Sequence, residues 1–553
     1  MPRMGRMMGA ACALALVAGS ALVSSGSADA SASAPAVSGA TPIWLGYDRL
    51  PQYQTVSTEV RVPMRDYTQM RCTLIRPARG GIPTSQKAPV IVANYFAYRA
   101  LQPVIATADY FAQRGYVSLS CSPRGSGGTA GTWRPFEAQE ARDNYDLIEW
   151  AGVQSWSNGN VGQTGISYGG ISTMKAVATN PPHLKAAVPV VAYQDLYREM
   201  VYPGGVRGTT LRWWPYFTWG TSIPDQGPDV SLATLPQYAD FETRAASHPL
   251  YDSYWKSLAV DIGAANKTKI PILHIGGWND LFPEGTVRNF QGTKDQSYLL
   301  MLPGAHAEFL PGVPQFDAAQ RGTLAFFDRI LMGRQDAPLP GSKVTSWMMP
   351  RGTGGWFEMN DFPTGKPSVL ALAGPQGAAV ATQFTYTANP FDNGCACLEH
   401  GLYNSTEYPL NSQAIQDTQR VQFNGGPSAG DVVLAGAPVA HLKAAFSTPD
   451  GVLVVRLEDV GPDGNSTVIT TGWLRASHRF GHGSAVPVSP GQAADYTVEL
   501  WPTHWRLAAG HAFRITISSG DLQHIEPVAA PGSTVTIFAG LNGSTFDMPF
   551  YQG

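Results

Sequence analysis

The sequence predicts an α/β core carrying an inserted helical segment, followed by an all-β C-terminal half. Three observations predict it. Strand-like and helix-like segments alternate from about Val60 to Val191, the alternation lapses into an aromatic-rich stretch and resumes near residue 270, and from about Lys343 short strands are broken by glycine, proline and asparagine. The chain of 553 residues is too long for one ordinary core, and 44% apolar against 14% charged residues excludes a disordered polyelectrolyte. A formal net charge of -3, with no stripe of lysine or arginine, gives nucleic-acid binding no electrostatic support.

Residues 1–34 read as a Sec-type secretory signal peptide and small-residue linker. Arg3 and Arg6 precede an apolar stretch from Met7 to Val23, and small residues around Ala28-Asp29-Ala30 offer several cleavage sites. Glycines and serines interrupt that stretch and no other segment approaches 18 continuous apolar residues, so the expectation is a secreted protein without stable membrane insertion. Cys72, Cys121, Cys395 and Cys397 remain after the leader. Their even number permits two disulfides without fixing a pairing, and the spacing makes no tetrahedral metal site, so no metal is expected.

Residues 35–192 form the first part of the core. The runs "APVIVANYF", "GYVSLSCS" and "VGQTGIS" are short and apolar, and "IATADYFAQR" and "EARDNYDLIEWAGVQ" have helical spacing, which together imply a parallel sheet covered by helices. Residues 193–269, with "LRWWPYFTW", read as a largely helical cap. The core resumes over 270–335 with "IPILHIGG", "SYLLMLPG" and a helix, "AAQRGTLAFFDRILMG", that ends in glycine. Residues 343–553, with "GVLVVRLEDVGPDG", "YTVELWP" and "AFRITISS", carry the pattern of a β-sandwich.

The chemistry centres on "VGQTGISYGG", in which Gly165-Ile166-Ser167-Tyr168-Gly169 fits G-x-S-x-G with a strand before it and a helix after it. A sharp strand-to-helix turn exposes the serine and leaves no room for β-carbons beside it, which is why glycines flank it. The alternative is an ordinary glycine-rich turn. A serine hydroxyl needs a base held by a third group, and in this topology acid and then histidine follow downstream. Asp280 lies just past the strand in "PILHIGGWNDLFPEG", and His306 just past the next one, in "YLLMLPGAHAEF". Glu284 and Glu308 are rival acids further from their strand ends, and His274, inside its strand, reads as a buried, hydrogen-bonded histidine. An oxyanion would meet the backbone N–H of Tyr168 and a second donor after "APVIVANYF", for which Tyr95 and Tyr98 are the candidates.

"NYFAYR", "SPRGSGGTAGTW", "DNYDLIEWAGVQSWSNGNVGQTGISYGG", "GGWNDLF" and "PGAHAEF" occur in an order that resembles the Xaa-Pro dipeptidyl-peptidase and cocaine-esterase (CocE/NonD) group of α/β hydrolases, which includes α-amino-acid ester hydrolases. The resemblance implies an α/β-hydrolase core with an inserted helical cap, followed by an all-β jelly-roll (galactose-binding-like) C-terminal domain. It implies Ser167 as nucleophile, Asp280 as orienting acid and His306 as base. Tyr98 falls on the family's oxyanion tyrosine, with Ala97 where proline is usual, and Tyr95 stays the second candidate. Arg124, in "PRGSGG", is expected to be a buried ion-pair partner. The implied reaction is cleavage of a small ester, an amide or a short peptide through an acyl-enzyme, without a cofactor.

The substrate stays open. Members that require a free α-amino group place carboxylates near the acyl site, because a buried ammonium needs a counter-charge. Asp195 and Glu199 have i, i+4 spacing and could serve, or could pair with Arg198 on a solvated cap helix. Trp213, Trp214 and Trp219, with Tyr216 and Phe217, could line an apolar pocket or simply form cap core. Acyl transfer and a non-catalytic ligand-binding protein are the alternatives to hydrolysis.

Overall fold

The computed structural model describes residues 21–24, 39–96, 102–226, 228–309, 313–350, 352–392, 417–530 and 532–551. Tyr98, Cys395, Cys397 and most of the leader lie outside the described residues. No helix among the described residues is long and apolar enough to cross a membrane.

An antiparallel hairpin, β1 (Gln54–Pro63) and β2 (Gln69–Arg79), leads into alternating strands and helices. These are β3 (Ala88–Asn94), α1 (Gln102–Ala112), β4 (Val117–Cys121), α2 (Ala138–Gly152), β5 (Ser157–Ile166), α3 (Tyr168–Thr179) and β6 (Leu184–Val190). After the cap come β7 (Ile272–Gly277), α8 (Pro283–Gly292), β8 (Ser297–Leu302), α9 (Pro314–Ile330), β9 (Val344–Met348) and β10 (Gly355–Met359). Strand order across the sheet is β10-β9-β8-β7-β6-β5-β3-β4-β2-β1, with Ile82–Pro83 paired to β2. From β9 to β4 all neighbours are parallel, which requires helical crossovers and explains why β3, β4 and β7 are buried almost throughout. One face packs on α2, α3 and the cap, in a cluster containing Val92, Leu147, Val177, Tyr193 and Trp255. The other, with Phe111, Val188, Leu300 and Phe327, packs on α1 and α9.

Between β6 and β7 lie a π-helical turn (Tyr197–Val201) and four helices, α4 (Trp214–Gln226), α5 (Pro228–Ser247), α6 (Ser253–Leu258) and α7 (Ile262–Lys267). The named strands from Gly365–Ala373 to Thr545–Tyr551 pair antiparallel with one another and bury Phe423, Leu453, Ile517 and Phe546.

The structure adds to the sequence reading in three places. Val344–Ser346 pairs in parallel with Leu299–Met301, so the core sheet runs on to Met359, past the boundary read at 343. A short strand at a sheet edge and one in a sandwich have the same period, so spacing alone does not separate them. Within the leader, Ala21–Ser24 pairs antiparallel with Leu370–Ala373 and meets Asn424 in parallel at Ala21, so it lies between two strands of the β-rich sheet. The cysteine pairing left open is filled on one side: Cys72 of β2 and Cys121 of β4 are opposite one another and joined as a disulfide.

Candidate active site

Ser167 stands between the last residue of the central strand β5 and the first residue of α3. Its backbone is left-handed, with φ 58°, a conformation that an L-residue holds only when its surroundings fix it. Ser167 N–H donates to Val190 O at 2.9 Å, and Ile171 N–H donates to Ser167 O at 2.9 Å. A β-carbon at Gly165 would stand 2.7 Å from Gly169 Cα, and one at Gly170 would stand 2.4 Å from Val190 O. Those two glycines are therefore required by close approach of backbone. Gly169 is not: its β-carbon would meet Tyr95 at an ordinary 3.4 Å.

The parallel strands β7 and β8 place Asp280 and His306 beyond their C-terminal ends. Asp280 is fully buried; its Oδ1 accepts from Phe282 N–H at 2.8 Å, and its Oδ2 lies 2.6 Å from His306 Nδ1. His306 Nε2 lies 2.8 Å from Ser167 Oγ. With Nδ1 protonated, the imidazole donates to Asp280 and its Nε2 is left to accept the serine proton. Ser167 and His306 are half-buried, so a substrate can reach them.

The rival groups are engaged elsewhere. Glu284 pairs with Arg288 at 2.6 Å, and Glu308 accepts from Ala305 N–H at 3.1 Å. His274 is buried, 2.9 Å from Thr293 Oγ1, and burial pulls its pKa down to about 3. Arg124 is an ion-pair partner, bidentate to Asp143 at 2.6 and 2.7 Å and paired with Asp66 at 2.8 Å.

Tyr168 is the first residue of α3, where an α-helix leaves its amides without an intrahelical acceptor. That puts a backbone donor directly after Ser167. Tyr95 N–H donates to Cys121 O at 2.9 Å, while the Tyr95 ring stacks on Phe96 and meets Tyr168 edge-on. Burial pushes the Tyr95 phenol well above its ordinary pKa, so it stays a protonated donor.

A run of rings joins the histidine to the residue after the serine. Phe282 lies edge-on to His306 at 5.8 Å, Tyr193 to Phe282 at 5.9 Å and Phe136 to Tyr193 at 5.3 Å, and Phe136 packs on Tyr168 at 4.6 Å. Trp214 of the cap stacks over Phe136 at 6.0 Å and over Tyr168 at 6.5 Å. Phe282, Tyr193 and Phe136 are buried and Trp214 is half-buried, so Trp214 is the accessible end of the run. Trp213 turns away to pack on Phe217, and Trp219 packs against the core cluster. On the opposite face of the sheet, an apolar cavity of about 90 Å³ lies between α1 and α9 behind Gly165 and Gly169; Ser167 does not line it.

Asp195 and Glu199 are not on an exposed helical face. The chain makes a π-helical turn, and Glu199 Oε1 folds back to accept from Gln194 N–H at 2.9 Å and Asp195 N–H at 2.8 Å. Asp195 Oδ1 accepts from Tyr197 N–H at 3.0 Å. Both acids are buried, and burial raises the pKa of each, that of Glu199 strongly, with the Glu284 charge adding to it. Arg198 instead lies 3.5 Å from Glu499 of the β-rich half. Backbone amides thus take one oxygen of each carboxylate, and the Tyr251 side chain bonds Asp195 as well.

The sequence reading missed Glu140. This residue of α2 is buried and accepts from Tyr168 Oη at 2.8 Å, Ser172 Oγ at 2.6 Å and Phe136 N–H at 2.8 Å. The only signal was the run of polar residues Glu140, Asp143 and Asn144 on one face of α2, which periodicity assigns to solvent.

Residues 66–308 match the model of the X-Pro dipeptidyl-peptidase (S15 family), and residues 341–538 match that of the X-Pro dipeptidyl-peptidase C-terminal non-catalytic domain. The chain is 26% identical to cocaine esterase of Rhodococcus sp. (strain MB1 Bresler), covering 87% of this chain and 93% of that one. It is 24% identical to Xaa-Pro dipeptidyl-peptidase of Lacticaseibacillus rhamnosus, covering 82% of this chain and 64% of that one. In fold it is similar to a CocE/NonD family hydrolase from Staphylococcus aureus, with a TM-score of 0.74 at 20% identity over 90% of this chain and 94% of that one. It is similar also to an α-amino acid ester hydrolase, with a TM-score of 0.73 at 19% identity over 93% of this chain and 100% of that one. An α/β core with a mixed sheet, a C-terminal all-β half and two family matches in chain order lead to one assignment: the chain is a hydrolase of the Xaa-Pro dipeptidyl-peptidase and cocaine-esterase (CocE/NonD) family of α/β hydrolases.

Proposed function

We propose that this chain is an exported serine hydrolase that cleaves neutral carboxylic esters through an acyl-enzyme on Ser167, with His306 as base and Asp280 as its orienting acid. The observation that carries the reading is the hydrogen-bonded series Ser167 Oγ, His306 Nε2, His306 Nδ1 and Asp280 Oδ2, at 2.8 and 2.6 Å. His306 takes the hydroxyl proton as Oγ attacks the acyl carbon, and the new oxyanion faces the Tyr168 N–H and a phenol from the loop after β3, Tyr98 or Tyr95. The imidazolium then protonates the leaving alkoxide. Water, deprotonated by the same histidine, releases the acid and restores the serine.

A neutral acyl group is favoured because the two candidate counter-charges for an ammonium, Asp195 and Glu199, are buried with raised pKa values and each already accepts backbone amides through one oxygen. The leader pattern and the Cys72–Cys121 disulfide support export to an oxidising compartment. The match to the dipeptidyl-peptidase model supports a second reading, removal of Xaa-Pro dipeptides.

A fluorophosphonate probe, p-nitrophenyl acyl esters and Gly-Pro and Ala-Pro anilides separate the two. Probe labelling and ester turnover without anilide cleavage are expected. Anilide cleavage at rates matching the esters would replace the ester reading, and failure of the probe to label the protein would end the serine-hydrolase reading. With a competing alcohol or amine present, free acid is the expected product; a dominant acyl-transfer product would make the chain an acyltransferase.

A further inference from the structure

Left-handed backbone at a non-glycine residue needs something to hold it, and two such residues adjoin Tyr168. They are Ser167, at φ 58°, which precedes it, and Phe136, at φ 65°, whose ring packs on it at 4.6 Å. One side chain is tied to both places. Glu140 Oε2 accepts from the Phe136 N–H and from the Tyr168 hydroxyl, and Glu140 Oε1 accepts from the Ser172 hydroxyl one turn further along α3. A single enclosed carboxylate thus anchors the first turn of the nucleophile helix at two points on one face and fixes the strained residue that carries the aromatic wall.

We propose that Glu140 is a positioning residue for the oxyanion site, holding Tyr168 so that its backbone N–H points at the negative charge developing on the acyl oxygen. The proposal rests on the reading of Ser167 as nucleophile. The geometry supports it because Tyr168 is tethered at both ends: its backbone follows the turn pinned by Val190 O, and its phenol ends on Glu140. Rotating the first turn of α3 would have to break either a backbone bond or a charge-assisted one. Burial pushes the Glu140 carboxyl above its usual pKa, while the bonds from Ser172, Phe136 and Tyr168 and the charge of Lys175 work to keep it ionised. Of its three partners, the Phe136 N–H can only donate, whereas the Tyr168 and Ser172 hydroxyls can donate or accept.

That last point makes the conservative variant informative. In Glu140→Gln, the amide oxygen can take the place of Oε2 and keep the Phe136 and Tyr168 bonds, while the amide nitrogen donates to the Ser172 hydroxyl. Glu140→Ala removes all three acceptors. Tyr168→Phe removes one bond at constant ring volume. The experiment measures kcat and KM on a p-nitrophenyl ester per active site titrated with the fluorophosphonate, together with inhibition by a boronic acid that mimics the tetrahedral intermediate. Losing an oxyanion donor outright costs about 10²–10³ in kcat, so a misdirected one should cost about tenfold in Tyr168→Phe and more in Glu140→Ala. KM should stay within about threefold, Glu140→Gln should keep most of the rate, and the boronate Ki should rise in step with the lost kcat/KM.

Full kcat per titrated site in Tyr168→Phe, or a loss confined to KM, overturns the role of Glu140. A wild-type protein that the probe does not label overturns instead the hydrolase reading beneath it. If Glu140→Ala does not fold, Tyr168→Phe and Glu140→Gln decide the matter alone.

Discussion

Two regions of this molecule bury ionisable groups, and they bury them differently. In the α/β core, fully buried Asp280 holds His306, and His306 reaches Ser167, so the series ends on a hydroxyl that a substrate can meet. In the β-rich half, fully buried Arg420 is bidentate to Asp392 at 2.9 and 2.7 Å and pairs with Asp417 at 3.2 Å. Asp417 accepts in turn from Ser466 at 3.0 Å and Arg514 at 2.8 Å, and Glu458 accepts from Thr516 at 2.9 Å. There the charges close on one another; burial and the Asp417 charge push the Glu458 carboxyl up to about 8. A perturbed or buried charge is therefore no sign of chemistry by itself. What separates the two regions is whether the hydrogen-bonded series is left open at one end.

The largest effect expected is at the open end. Ser167→Ala should lower kcat on the order of 10⁴–10⁶-fold while the melting temperature stays within about 2 °C, because the hydroxyl supports no other part of the fold. Retained turnover would break the distinction at its source. The mirror experiment is Arg420→Met. Removing one partner of a buried ion pair costs about 3–5 kcal/mol, so unfolding in urea should shift strongly while kcat per titrated active site is unchanged. A fall in kcat with unaltered stability would show that the closed cluster serves the reaction.

The sequence made the open series legible and left the closed ones hidden, for a physical reason. Asp280 and His306 sit just past apolar runs, and a parallel sheet brings the ends of such runs to one edge, so their convergence on Ser167 follows from spacing alone. Arg124, which the resemblance implies to be an ion-pair partner, pairs with buried Asp143 and exposed Asp66. Glu140 was not readable: its partners come from a loop, a turn and another helix, and in sequence it looks like any acid on an amphipathic helix. Asp195 and Glu199 misled because i, i+4 spacing does not say whether the shared face is solvated, and here both acids are buried against backbone amides. That Val344–Met348 pairs with the core sheet was not legible, because edge strands and sandwich strands share a period of two.

Glu199 is the case that sharpens the comparison, since it lies in the catalytic half yet is enclosed without a cation of its own. Its Oε1 takes the Gln194 and Asp195 amides, and its Oε2 has no hydrogen-bond partner among the described residues. Glu284 faces it with a second carboxyl, Asp195 adds a third, and Arg288 is paired with Glu284. A β-carbon at Gly285 would come within 2.1 Å of that same Oε2, so no side chain fills the space. Burial and the Glu284 charge raise the Glu199 pKa above its value in the unfolded chain, which sets the sign. Below the unfolded value the carboxyl is protonated in both states and nothing is lost. As pH rises above it, the unfolded chain releases a proton that the native state retains, and stability declines until the native pKa is passed. Glu199→Gln keeps an oxygen for the two amides and does not titrate. The variant should therefore melt close to the wild type near pH 4 and above it near pH 8, by about 1.4 kcal/mol for each unit by which the native pKa is raised. Calorimetry across that range checks it; a stability difference that stays constant with pH would mean that Glu199 is held as an anion, and that its enclosure resembles the ion-paired cluster around Arg420 after all.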